Sequence, residues 1–221
     1  GMLTKNIDYN QFETKSVKDP LGIDDILKLP DGIQQVKSLR WSHGNEYAPK
    51  NSSYYCWEKS SGNAEKMIFY HKNGSELRTV TFDINGDAVF RDIAYDDFGN
   101  VVKETLPYYV DNEKIFTTKK YDKYNRLVEV KYPNDLICEI EYEGNKVITS
   151  VGSKDGNKRI KIDNLNEMGW VVSTTDVGGN VISYEYYSDG LVKSALINGN
   201  ENTRIIVKYD NNRNRSYMRD P

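Results

Sequence analysis

The 221 residues carry 30 Lys and Arg against 33 Asp and Glu, for a net charge of −3, so no basic excess points to nucleic acid or to an anionic membrane surface. No apolar run approaches the ~20 residues of a membrane-spanning helix, and the 2 cysteines make no disulfide framework. The 17 tyrosines against 6 phenylalanines favour a half-buried sheet, where a ring packs while its hydroxyl reaches water.

In chain order, Gly1 ahead of Met2 reads as a tag scar, and no signal peptide follows it. With Met2 as the native start the expected compartment is the cytoplasm; with a truncated start it is the cell envelope or the exterior. Residues 1–53 are expected to form an N-terminal cap with a short helix and a polar loop. Asp19-Pro20-Leu21-Gly22 reads as a turn. Ile23, Ile26 and Leu27 then fall at i, i+3 and i+4, which predicts a short amphipathic helix ended by Pro30-Asp31-Gly32. Val36, Leu39 and Trp41 open a first strand, and Ser42 to Ser53 is a polar loop.

Residues 54–221 have one texture: short β-branched and aromatic runs separated by turns of Gly, Asn or Asp. Turn units begin at Tyr70, Phe82 and Tyr95, and from there at Tyr121, Tyr142, Ile162, Tyr187 and Tyr209. From Tyr121 the period is roughly 20–25 residues, the mark of a repeat architecture. Within a unit the acid accepts backbone N–H groups across a turn whose Gly99, Asn125 or Gly190 takes positive φ. Leu127, Val128 and Val130, with Arg126, Glu129 and Lys131 beside them, make a one-sided strand. The fold class expected is mainly β, with successive antiparallel hairpins forming an open, twisted and curved sheet that packs with its cap as one structural unit. A single hairpin cannot bury its own face, so neighbours must pair along the sheet.

The pattern aromatic–Asp–x–x–Gly/Asn, carried by Tyr95-Asp96…Gly99-Asn100-Val101 and Tyr121-Asp122…Asn125-Arg126-Leu127, resembles the RHS/YD-repeat family. The resemblance covers roughly Tyr70 to Tyr217. The Ile162 unit departs furthest, with Met168-Gly169-Trp170 in place of the usual turn. Tyr209 to Pro221 also resembles the segment that closes the RHS core, with Asn214 where glycine is expected. The family implies β-sheet spirals that close into shells or serve as cell-surface stalks, and in its toxin members a toxic domain follows that closing segment. MORN-like repeats are the rival resemblance, on Phe69-Tyr70-His71-Lys72-Asn73-Gly74 and Phe82-Asp83-Ile84-Asn85-Gly86. Both imply stacked β-hairpins.

Catalytic and metal chemistry finds little purchase. His43, His71, Cys56 and Cys138 show no zinc-ligand spacing. The cysteines read as unpaired thiols or as one bridge. Asp83-x-Asn85-x-Asp87 and Asp210-x-Asn212-x-Asn214 copy the first half of a calcium loop, but Ala88 and Arg215 replace its glycine and Ala94 and Pro221 its last acid. No catalytic, metal or cofactor-binding residue is expected, and the chain is read as no enzyme. Candidate binding residues are exposed aromatics: Tyr55, Trp57, Tyr108, Tyr109, Tyr186 and Tyr187. Adjacent side chains alternate faces, so one ring of each pair packs inside and its neighbour can stack on a sugar or anchor a protein. Arg204, Lys208, Arg213, Arg215 and Arg219 form a basic edge that discourages sheet-to-sheet association. The expected function is a non-catalytic β-repeat scaffold or binding module for a protein or glycan partner, with no nucleic acid and no membrane insertion. Self-association through open sheet edges is a further expectation. The alternatives are a component of an Rhs-type toxin or contact-competition system lacking its toxic tip, and a glycan-binding envelope protein.

Overall fold

The computed structural model describes residues 2–19, 24–154 and 156–221. Every regular element among them is an antiparallel β-strand in an open sheet, and no helix is present that could cross a membrane. The chain divides into two compact units, Gly1–Thr118 and Lys119–Pro221.

Unit 1 contains β1 (Met2–Ile7), β2 (Glu13–Lys18), β3 (Asp24–Lys28), β4 (Gln34–Trp41), β5 (Tyr54–Ser60), β6 (Lys66–Tyr70), β7 (Glu76–Phe82), β8 (Ala88–Tyr95), β9 (Val101–Thr105), β10 (Tyr108–Tyr109) and the start of β11 (Phe116–Tyr121). From β1 to β9 each strand pairs with the next. β9 then pairs with β11, while β10 folds back onto β8.

One turn chemistry links most of these strands. The Asp96 amide donates to the Asn100 carbonyl at 3.0 Å, and the Gly99 amide returns a bond to the Asp96 carbonyl at 3.1 Å. The Asp96 carboxylate accepts from the amides of Phe98 and Asn100 at 3.0 and 2.8 Å. Gly99 sits at φ +88°, where a Cβ is disfavoured, and the strand register shifts at Tyr95. These are the marks of a tight hairpin loop closed by a left-handed residue and a bulge. Asp83, Asp122 and Asp210 each accept the same pair of amides at 2.8–2.9 Å. The Tyr–Asp pair is therefore a turn and register device, as its sequence spacing implies.

The N-terminal segment departs from expectation. In place of the short helix through Ile26 and Leu27 stands β3, with Ile26 opposite both Val17 and Val36. A helix this short gains little by itself, whereas a strand here is hydrogen-bonded on both sides. Ile23 and the turn residues Pro20, Leu21 and Gly22 lie outside the described residues. Asp8 closes a turn of the repeat type, accepting the Phe12 amide at 2.9 Å, with Gln11 at φ +63°. The hairpins thus begin well before Tyr54, although Ser42 to Ser53 is a loop as expected.

Unit 2 continues the plan with β12 (Leu127–Lys131), β13 (Leu136–Glu143), β14 (Lys146–Ser153), β15 (Arg159–Leu165), β16 (Val171–Thr175), β17 (Val181–Tyr186), β18 (Val192–Ile197), β19 (Asn200–Tyr209) and β20 (Arg215–Arg219), each paired with the next. The repeat frame shifts here in several places. The degraded unit starts at Leu165-Asn166 instead of Ile162-Asp163: Asn166 accepts the Met168 and Trp170 amides at 3.0 and 2.9 Å, and Gly169 is at φ +78°. Tyr187 occupies the acid's place before Gly190, so Tyr186 is the residue at the register shift. Tyr142-Glu143 leads into a tight turn in which Glu143 faces Lys146 directly. The left-handed residue sets the frame, because the slot before it accepts several side chains while the φ requirement is strict.

The tyrosine hydroxyls tie neighbouring hairpins. Tyr142 donates to the Leu127 carbonyl at 3.1 Å and Tyr186 to the Val171 carbonyl at 2.6 Å, in both cases the first strand residue after a turn. Phenylalanine could not make this bond, which is one physical reason for the tyrosine bias. Unit 1 has a denser core: Tyr55, Phe69, Val80, Phe90 and Tyr108 form one buried cluster, with Trp57, Met67 and the loop residues Tyr47 and Ala48 packed against it. In unit 2 the buried apolar side chains are Val130 and Val207.

Candidate binding groove

The connections Ser42–Ser53 and Leu106–Ile115 break the hairpin rhythm, and both lie over the core face of unit 1. From the first, Tyr47 sets its ring against Phe82 and Phe90, at centroid distances of 5.8 and 6.0 Å. From the second, β10 lays Tyr108 opposite Phe90, with the rings stacked at 5.6 Å. Long ordered connections held by a rigid sheet are where binding residues concentrate.

Arg78 and Asp92 clamp the two loops. Arg78 meets Asp92 through Nε at 2.6 Å and Nη2 at 3.0 Å. Its Nη1 donates to the Tyr47 carbonyl of the first loop at 3.0 Å. The Tyr108 hydroxyl of the second loop donates to Asp92 Oδ2 at 2.6 Å, and Lys114 Nζ approaches the same oxygen at 2.9 Å. Burial pushes the Asp92 carboxyl up, but its bonds from Arg78, Tyr108 and Lys114 outweigh this and hold it at about 2. Burial and the Asp92 charge both push the Tyr108 phenol up. The cluster ties elements 30 residues apart in sequence, from Arg78 to Tyr108, and Asp92 is shared by two cations, Arg78 and Lys114.

Between the loops lies a groove of about 580 Å³, with Tyr47, Tyr109 and Val110 as apolar wall and Glu46, Asp87 and Asp111 as carboxylates. Tyr109 is 41% exposed and Val110 74%. The Tyr109 hydroxyl donates to Asp83 Oδ2 at 3.2 Å; that bond, and the charges of Asp83 and Asp87, push the phenol up. The cation in the wall, Arg78, is committed to Asp92. No ion pair engages Glu46, Asp87 or Asp111 among the described residues.

The six aromatic candidates separate. Tyr108 and Tyr109 follow the expected alternation, one inside and one out. Tyr55 and Tyr108, however, are only 8% and 6% exposed, and belong to the core instead of an open surface. Tyr55 stacks on Phe69 at 5.0 Å, because β6 brings Phe69 directly opposite. Trp57 is half-buried; its Nε1 donates to Glu65 at 2.5 Å and Arg40 covers its ring at 4.6 Å. Tyr186 and Tyr187 are half-buried interlocks, Tyr187 donating to the Val207 carbonyl at 3.1 Å. Of the six, Tyr109 lines the groove. Sequence reasoning missed Tyr47, Arg78 and Asp92; the clue available was the uneven spacing of turns around 42–53 and 106–115.

The decoys resolve locally. Asp83 and Asp210 spend a carboxylate oxygen on turn amides, His71 bonds Asn73 at 2.9 Å within its turn, and both cysteines are free thiols. Among the described residues no three His, Cys, Asp or Glu side chains gather to hold a metal ion.

No family model matches the sequence, and no curated protein matches it. Solved structures do match in fold. TcdB2-TccC3-Cdc42 aligns over 96% of this chain with TM-score 0.56 and 12% identity, and TcdB2-TccC3 without its hypervariable C-terminal region over 97% with TM-score 0.56 and 13% identity. The aligned region is 13% of each of those chains. What this chain shares with these TcdB2-TccC3 structures is its β-repeat fold.

Proposed function

We propose that the chain is a non-catalytic β-repeat module that scaffolds and binds, with a protein or a carbohydrate as partner. The observation that carries this reading is the convergence of the Ser42–Ser53 and Leu106–Ile115 connections on one groove, clamped by Arg78 and Asp92. In support, five acids are committed to turns: Asp83, Asp96, Asp122, Asp176 and Asp210 all have carboxyls held below the usual range by turn bonds. The test is a paired screen of one preparation. Peptide and glycan arrays are expected to return a ligand whose binding weakens in Tyr109→Ala, and a panel of ester, glycoside, peptide and phosphoester substrates is expected to show no turnover. Turnover abolished by substitution of one of the chain's own acids or histidines would overturn the reading.

A second reading draws support from the fold likeness: the chain serves as a repeat segment within an Rhs-type toxin assembly. A neighbouring gene for a toxic tip or an immunity protein would favour it. An isolated gene, or one among polysaccharide-use genes, counts against it.

A further inference from the structure

We infer that the groove of unit 1 takes a positively charged peptide segment of a partner protein, one Lys or Arg flanked by an apolar residue. This rests on the binding-module reading above and names its ligand class. Among the described residues the groove's wall offers Glu46, Asp87 and Asp111 without ion partners, and its own cation, Arg78, is already engaged by the Asp92 carboxylate. With Lys114 counted beside Arg78 against Asp92, the three wall carboxylates still leave the groove net negative, although the whole chain is nearly neutral at −3. Two of the wall carboxylates act on its phenols: after burial, Glu46 pushes Tyr47 up, and Asp87 adds to the Asp83 bond and charge that push Tyr109 up.

The second component is apolar. Tyr109 and Val110 are exposed side by side at the groove's edge, on a connection that departs from the repeat. A ring with an open face beside carboxylates holds an ammonium or guanidinium by cation–π attraction and charge together, while a neighbouring aliphatic side chain covers Val110. A neutral sugar would use the ring but leave three carboxylates without a countercharge. An acidic peptide would be repelled. Complementary charge of this kind acts on encounter rate and on partner choice.

The test uses the full chain on an array of short peptides, basic-apolar, acidic and neutral, beside a glycan array. Glu46→Gln/Asp87→Asn/Asp111→Asn keeps the size of every side chain and touches no clamp residue. Circular dichroism matched to the parent confirms its fold. Basic-apolar peptides are expected to bind the parent, to bind the triple variant about tenfold or more weakly, and to be released as salt rises to about 1 M. Failure of every basic peptide to bind, or equal binding by parent and triple variant, overturns the inference. Glycan binding with no peptide binding overturns the ligand class yet leaves the binding-module reading standing; turnover on the substrate panel removes that reading itself.

Discussion

Replacing Asp92 with Asn removes the charge at the centre of the clamp while keeping its shape. In the native protein the Asp92 carboxyl is held at about 2 against an ordinary 3.8, with a side chain only 22% exposed. That displacement, at 1.36 kcal/mol per pKa unit, makes the ionised carboxylate worth roughly 2 kcal/mol to unit 1. The folded value is depressed, so the contribution is complete above the unfolded value near 4 and disappears as pH falls through about 2. The variant also leaves Arg78, 18% exposed, without its countercharge, which adds to the loss near neutral pH. Urea unfolding in a Trp170→Phe background isolates unit 1, because Trp41 and Trp57 are then the fluorophores. Parent and Asp92→Asn are expected to differ by at least roughly 2 kcal/mol at about pH 7 and to converge only as pH falls toward about 2. A gap that stays constant with pH, or one under about 0.5 kcal/mol at neutrality, refutes the assignment of the clamp to ionised Asp92.

The remaining predictions concern the repeat itself. Tyr186→Phe deletes the 2.6 Å bond to the Val171 carbonyl and is expected to cost about 1 kcal/mol, seen as faster amide exchange in β16 and β17; Tyr142→Phe does the same for β12 and β13. Gly99→Ala meets no neighbouring atom and costs about 1 kcal/mol for its φ of +88° alone. Gly190→Ala costs clearly more, since its Cβ lies 3.0 Å from Trp170, and comparison of the two melting temperatures separates strain from clash. Lys18, Asp25, Lys37, Glu58 and Lys66 face one another in register across β2 to β6 with alternating sign. Glu58→Lys sets like charges opposite both Lys37 and Lys66 and is expected to lower stability by about 1 kcal/mol, less at high salt, with partial rescue by Lys37→Glu.

The repeat was legible because its determinants are local. An acid or amide, a left-handed glycine or asparagine and the strands on either side lie within a few residues, and they make the same bonds at Asp83, Asp96, Asp122 and Asp210. At Ile162 and Tyr187 the frame departs from the tyrosine–acid spacing because the residue at positive φ, Gly169 or Gly190, places the turn. The helix misread at Ile26 and Leu27 has a different cause: three-residue periodicity over so short a run cannot register two neighbouring strands that each offer a full set of hydrogen bonds.

Sequence by itself determined that this chain is a succession of antiparallel hairpins, and why tyrosine and aspartate recur in it. Tertiary structure alone decided which rings are buried, because β6 sets Phe69 on Tyr55 and β10 crosses back to set Tyr108 on Phe90. It alone brought Tyr47, Arg78 and Tyr109 around one groove, with Asp92 holding Arg78 in place. Those contacts span loops whose closure is rewarded only once the sheet beneath them exists, and no local pattern encodes them.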